Sequence, residues 1–234
     1  MPKISTTNGA IHYKSIPIYE GIKYIDKEKS LQNLIVFKEI LDAHRIPFFL
    51  AYGTLLGACR EHDFITHDED IDLALLEEDR QRLFDTLPEL MRKGFCIARW
   101  DRKGCMSIMR DGEYMDMYFF HKMTDKVRAC SGNLMPSVFL EETDFMEFKG
   151  LQILAPRDYE GFLRYEYGEN WHIPVVFQNF GMNWFQRAVR IGVSMVKEYL
   201  PDCLYFPLSA VKEKHYQRRY DQKIERYFNE QSNK

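Results

Sequence analysis

Apolar residues recur at helical spacing over Asp26 to Ala43, where Leu31, Leu34, Ile35 and Leu41 share a face, and over Arg80 to Lys93, where Leu83, Phe84, Leu87, Leu90 and Met91 do the same. Gly94 stops the second run. Between the two the period changes. PFFLAY is a continuous apolar, aromatic stretch that predicts a core strand over Phe48 to Tyr52. TLLGACR then fits a short helix from Thr54, a loop runs through Phe64, and a further strand begins at Ile71. Three strand candidates follow the second helix: Phe95 to Trp100, Cys105 to Arg110 and Tyr114 to Phe120. FMEFKGLQIL reads as a hairpin turning at Lys149 and Gly150, and Arg157 to Tyr167 as a helix. This order predicts an α+β fold, a mixed sheet flanked by helices on one face.

The last fifty residues change character. From Asn183 onward Lys and Arg outnumber Asp and Glu by ten to six, although the whole chain is acidic. The expected division is therefore a domain over residues 1–182 and a helical, basic extension over 183–234. WFQRAVRIGVSMVKEYL is apolar over most of its circumference, which predicts a helix packed on the domain and ended by Pro201. VKEKHYQRRYDQKIERYF is a basic, aromatic-rich helix candidate. A solvated surface helix with charge pairs is the favoured reading, and peripheral contact with an anionic membrane face or a lipid-linked acceptor is the alternative.

Composition narrows the class. With 234 residues, 45% apolar and 29% charged, the chain is long enough for a full core and too apolar for disorder. A net charge of −3 argues against nucleic-acid binding by phosphate neutralisation, so any anion site is local. Five cysteines without C-x-x-C spacing predict reduced thiols and a cytoplasmic location. No apolar run approaches the length of a membrane span.

The chemistry concentrates in AYGTLLGACREHDFITHDEDIDLAL. On a strand from Ile71, a period of two places Asp70 and Asp72 on one face, where two carboxylates repel unless a cation lies between them. Hard divalent ions such as Mg²⁺ suit such oxygen ligands together with substrate phosphates. Gly53 and Thr54, at a strand-to-helix turn, would offer backbone N–H groups and a hydroxyl to those phosphates. The plain alternative is a solvated acidic turn made by Asp68, Glu69, Asp70 and Asp72. Against it stands Asp116 in GEYMDMYFF, a third acid inside an apolar strand, where an unpaired charge is costly. No histidine pair has metal-ligand spacing on a helix, and His67 beside the acids suits a structural or phosphate-contacting role.

The stretch YGTLLGACREHDFITHDEDIDLAL resembles the signature of the LicD/fukutin family of phosphotransferases, within the nucleotidyltransferase-like superfamily, and YMDMYF and PRDYEGFLRYEYGENWHIP resemble its later segments. The resemblance runs from about Phe48 to Pro174. It implies a nucleotidyltransferase-like fold and an enzyme, dependent on Mg²⁺ or Mn²⁺, that moves a phosphorylated alcohol from a CDP-linked donor to a hydroxyl of a glycan or lipid-linked glycan. Carried over by position, Asp70 and Asp72 match the metal-binding pair, Asp116 the third acid near the attacking hydroxyl, Gly53 and Thr54 the phosphate-holding turn, and Arg60 the basic residue that neutralises charge on the pyrophosphate. His67, Glu69 and Cys59 depart from the usual pattern, and no zinc-ligand spacing is present. Tyr167, Gly168 and Trp171 read as packing residues or, alternatively, as the lining of a donor or acceptor pocket. Two further classes stay open: a nucleotidyltransferase that moves NMP with the same three acids, and a non-catalytic binding member of the fold.

Overall fold

In the computed structural model, which describes residues 1–18, 23–175 and 184–232, a nine-stranded mixed sheet carries the acids at its centre. The first two strands, β1 (Lys3–Thr6) and β2 (Gly9–His12), form a separate hairpin that the apolar pattern does not announce. Helix α1 (Lys27–Ala43) follows, capped by Asp26, whose carboxylate accepts the Lys29 N–H at 3.2 Å. Then come β3 (Phe49–Leu50), α2 (Tyr52–Arg60), β4 (Ile71–Leu76), α3 (Arg80–Arg92), β5 (Cys96–Trp100), β6 (Cys105–Arg110) and β7 (Glu113–Lys122). The chain continues through β8 (Val127–Cys130), β9 (Asn133–Pro136), the single turn α4 (Val138–Glu141), β10 (Thr143–Phe148), β11 (Leu151–Pro156) and α5 (Tyr159–Tyr167). Two helices close it, α6 (Trp184–Tyr199) and α7 (Asp202–Ser232).

The main sheet runs β10-β11-β3-β4-β7-β6-β5, with β8 and β9 added at the far end of β7. Two pairings are parallel, β11 with β3 and β4 with β7, and the others are antiparallel. The sheet is therefore mixed, as the order of elements predicts. The hairpin at Lys149 and Gly150 is present, with both residues at positive φ (54° and 82°), the geometry that a two-residue turn between twisted strands demands.

Two expectations are corrected, and the docking of α6 is specified. Helices lie on both faces of the sheet, not one: Phe84 of α3 packs its ring on Phe119, while Tyr52 of α2 packs on Tyr118, and successive strand residues point to opposite faces. The predicted strand over Phe48 to Tyr52 pairs only at Phe49 and Leu50, because Tyr52 turns to φ 42° and opens α2 two residues earlier than the composition suggests. Helix α6 packs by its polar edge. The Glu198 carboxylate, 7% exposed, accepts from the Tyr13 hydroxyl at 2.6 Å and the Trp100 N–H at 3.0 Å, and Arg102 donates to the carbonyls of Lys197 and Leu200. Its apolar face is left exposed.

Helix α7 is less solvated than its charge suggests. Ile224 is buried beside Ala129 and Leu134, the Tyr227 ring meets Phe139 and Tyr165, and Lys223 pairs with Glu166 at 2.9 Å. Among the described residues no helix is long and apolar enough to cross a membrane.

Candidate active site

Asp70 immediately precedes β4, and Asp72 is its second residue. The parallel register of β4 and β7 makes Asp72 the partner of Asp116, β6 places Ser107 opposite Asp116, and β5 places Arg99 opposite Ser107. Neighbouring strands lie about 4.8 Å apart. A polar row, Asp72, Asp116, Ser107 and Arg99, thus crosses four adjacent strands.

The acids are held differently. Asp72 Oδ2 accepts the Gly53 N–H at 2.9 Å and its Oδ1 accepts the Tyr118 hydroxyl at 3.1 Å. Asp116 accepts the Ser107 hydroxyl at Oδ1 and the Arg99 guanidinium at Oδ2, the latter at 2.9 Å. Burial pushes both carboxyls above the usual range. The Asp68 and Asp116 charges add to the rise at Asp72, whereas Arg99 and Ser107 oppose it at Asp116. Asp70 is raised well above its ordinary value by burial first and then by the charges of Asp72, Asp116, Asp68 and Glu69. Asp68 is raised by burial, against a hydrogen bond from the Glu69 N–H and the neighbouring His67. Of Asp70, Asp72 and Asp116, the one with a guanidinium partner among the described residues is Asp116.

The first turn of α2 explains Gly53 and Thr54. The Thr54 hydroxyl, on a residue 2% exposed, accepts the Asp72 N–H at 2.8 Å, and the Ala51 N–H donates to the Asp72 carbonyl at 3.2 Å. A Cβ on Gly53 would stand 2.2 Å from Asp68 Oδ2 and 3.1 Å from Asp72 Oδ2. Glycine is what lets a helix N-terminus, favourable to negative charge, lie against two carboxylates. Both residues named in the sequence as phosphate contacts are thus engaged with Asp72.

Arg60 ends α2, with Nη2 2.7 Å from Glu61 Oε1 and a buried Nε that has no hydrogen-bond partner among the described residues. Tyr167, at the end of α5, feels Asp72, Asp68 and Arg60, and its phenol is raised chiefly by burial. Trp171 packs half-buried against the main core. The structure therefore brings Gly53, Thr54, Asp70, Asp72, Asp116 and Tyr167 to one place. It adds Asp68, Arg99, Ser107 and Tyr118, which the sequence reading did not assign to the site. Tyr118 is legible in principle, two residues beyond Asp116 on the same strand face. Arg99 and Ser107 depend on cross-strand register.

A donor set made only of carboxylate oxygens suits a hard divalent cation. Asp70 and Asp72 are both raised by burial and by neighbouring carboxylates, which a cation would relieve. Among the described residues no three His, Cys, Asp or Glu side chains are already clustered as a metal site, and both Asp116 oxygens are engaged by Ser107 and Arg99. A separate groove of about 480 Å³, lined by residues including Lys38, Arg45, Phe48 and Phe145, contains none of these acids.

Comparison with known proteins finds a similar domain. Residues 45–158 match the family model described as LicD/FKTN/FKRP, nucleotidyltransferase domain. The chain is 26% identical over 153 residues to an uncharacterised protein of Rickettsia typhi, covering 62% of this chain and 48% of that protein. It is 25% identical over 167 residues to the ribitol-5-phosphate transferase FKTN of Homo sapiens, covering 67% and 35%. The chain thus spans about half or less of the length of these relatives. Among solved structures, the antibiotic-resistance factor ANT(2'')-Ia aligns with TM-score 0.48 at 11% identity over 89% of this chain and 100% of that one. The lincomycin-bound lincosamide antibiotic adenylyltransferase LnuA aligns with TM-score 0.43 at 11% identity over 70% and 96%. The match to the LicD/FKTN/FKRP nucleotidyltransferase domain thus covers residues 45–158, just under half of the chain.

Proposed function

We propose that this protein is a metal-dependent phosphotransferase that moves a phosphorylated alcohol, phosphocholine-like or a polyol phosphate, from a CDP-linked donor to a hydroxyl of a cell-surface glycan or its precursor. The observation that carries the reading is the register pairing of Asp72 with Asp116 on parallel strands, with Asp70 at the strand head. The match of residues 45–158 to the LicD/FKTN/FKRP domain and the similarity to a ribitol-5-phosphate transferase support the reaction class.

Asp70 and Asp72, joined by Asp116 when its contact with Arg99 loosens, would hold Mg²⁺ or Mn²⁺. The cation's contribution is to neutralise the donor's phosphates and the charge that builds on them during transfer. The chain's own residues do the rest. Asp116, its carboxyl raised by burial, takes the proton of the acceptor hydroxyl as that oxygen attacks the phosphorus bearing the alcohol, and CMP leaves with the bridging oxygen. Gly53 and Tyr118 fix the Asp72 carboxylate, Thr54 holds the Asp72 backbone N–H, and Arg60 approaches the pyrophosphate from the end of α2. Tyr167 lines the donor or acceptor side. Placement in the cytoplasm, where nucleotide-activated donors are made, accompanies this reading, as does peripheral contact of the α7 end with a membrane face.

The test is incubation with Mg²⁺ and CDP-linked choline, ethanolamine, glycerol or ribitol, with and without candidate glycans, following CMP. CMP release that a glycan enhances and that Asp72→Asn abolishes is expected. The family description also fits NMP transfer; an acceptor that gains NMP would replace the proposal with that reading. No product with any donor or nucleotide, despite metal binding, would leave a binding protein.

A further inference from the structure

Surface helices of globular proteins turn their apolar stripe inward. Helix α6 does the opposite. Its inward edge is Glu198, held by Tyr13 and Trp100, with half-buried Ile191 two turns earlier. Phe185, Val189, Val193 and Val196, at the spacing of one helical stripe, are 60%, 48%, 49% and 62% exposed. Trp184 at one end is 80% exposed and Tyr199 at the other 48%. At the start of α7, Leu204 and Leu208, one turn apart, are 52% and 58% exposed. An exposed apolar stripe along the whole of α6 is unusual on a monomer and marks a contact.

Charge selects the occupant. The charged residues of α6 are Arg187, Arg190 and Lys197 against one acid, Glu198, whose carboxylate is spent on Tyr13 and Trp100. A second copy laid on the same stripe would bring like charges together, whereas an anionic surface is attracted. An exposed apolar stripe, a basic balance, and Trp and Tyr at the two ends are the features of a helix lying in a membrane interface.

We propose that α6 and the first turns of α7 form an interfacial surface that docks this protein on an anionic phospholipid bilayer, the apolar stripe entering the headgroup boundary. This surface precedes the terminal basic stretch in the chain and is independent of the reaction proposed above. It holds whichever group the acids transfer. Docking is driven by apolar burial and strengthened by headgroup charge.

The experiment is co-sedimentation of the full chain with phosphatidylcholine vesicles, pure or containing about 30% phosphatidylglycerol, at low and high salt. Val189→Glu/Val196→Glu is the comparison variant. Both positions are exposed, so its melting temperature should equal that of wild type. Sedimentation with the anionic vesicles, weakened by salt and reduced roughly tenfold or more by the double variant, is the expected result. Absence of vesicle binding, or binding that the double variant leaves intact, would overturn the proposal. So would self-association in vesicle-free solution that the same variant abolishes, since the surface would then belong to a second copy.

Discussion

Asp72 and Asp116 are register partners on adjacent parallel strands, yet they are neutralised from opposite sides. Asp72 receives the Gly53 N–H at the start of α2 and the Tyr118 hydroxyl; Asp116 receives Arg99 and Ser107 from the β5–β6 hairpin. The first arrangement leaves a carboxylate that still lacks a full counter-charge. The second gives a carboxylate already paired. A cation entering between them is therefore drawn first to Asp72 and Asp70, and each consequence of that asymmetry is measurable.

Without a cation the acids destabilise the fold as pH rises. The Asp70, Asp72 and Asp116 carboxyls sit above their unfolded value of about 3.9, so the folded chain holds more protons than the unfolded one between the two values. Stability therefore increases as pH falls through the raised pKa values and is lost as pH climbs through them. Glu166 and Glu198, raised by burial, contribute in the same direction, so a variant must isolate the site. Asp70→Asn removes one repelling charge. In metal-free buffer at about pH 8 this variant should melt a few degrees higher than wild type, with the difference shrinking toward about pH 5. Thermal melts with and without Mg²⁺ check this. An Asp70→Asn variant that melts no higher than wild type without metal, or that gains as much from Mg²⁺, contradicts it.

Gly53→Ala probes the contact that sets Asp68 and Asp72. The new Cβ would meet Asp68 Oδ2 at 2.2 Å, an atom at the tip of a short side chain, so Asp68 moves while the helix stays. The melting temperature should change little, while affinity for Mn²⁺, read by titration calorimetry, drops roughly tenfold through the disturbed carboxylates. Unchanged affinity would mean that Asp68 and the Gly53 N–H have no part in shaping the site.

Much of this was legible before any coordinates. The hairpin at Lys149 and Gly150, the helices around Leu34 and Leu87, and the strands carrying Asp72 and Asp116 all follow from local periodicity, which side-chain spacing encodes directly. The β1–β2 hairpin and the β8–β9 pair escaped because strands of four residues give too short a window for a period of two to declare itself. Ser107 and Arg99 reach Asp116 through strand register, a non-local property. The reversed docking of α6 has the same cause. Its many apolar positions are plain in the sequence, but which face meets the body is decided by Glu198 and Arg102 finding Tyr13, Trp100 and the helix's last carbonyls.

Arg99 acts on the reaction through Asp116. Among the described residues that carboxylate is the one charged group it hydrogen-bonds, since its other contacts are the Ser107 hydroxyl at 3.2 Å and the Cys105 sulfur at 3.6 Å. Removing it in Arg99→Gln leaves Asp116 buried beside Asp72 without its main opposing charge, so the Asp116 carboxyl rises further. If Asp116 accepts the acceptor's proton, turnover must then wait for a higher pH before the base is ionised. The acidic limb of the pH–rate profile shifts upward in Arg99→Gln and moves back toward wild type in Arg99→Lys, which restores charge without the guanidinium's geometry. A purely structural Arg99 would lower the melting temperature and the rate at every pH alike, without displacing the limb. A limb that stays in place in Arg99→Gln while turnover remains measurable would remove Asp116 as the base and leave it, with Arg99 and Ser107, as the strut that keeps β6 and β7 in register beside Asp72.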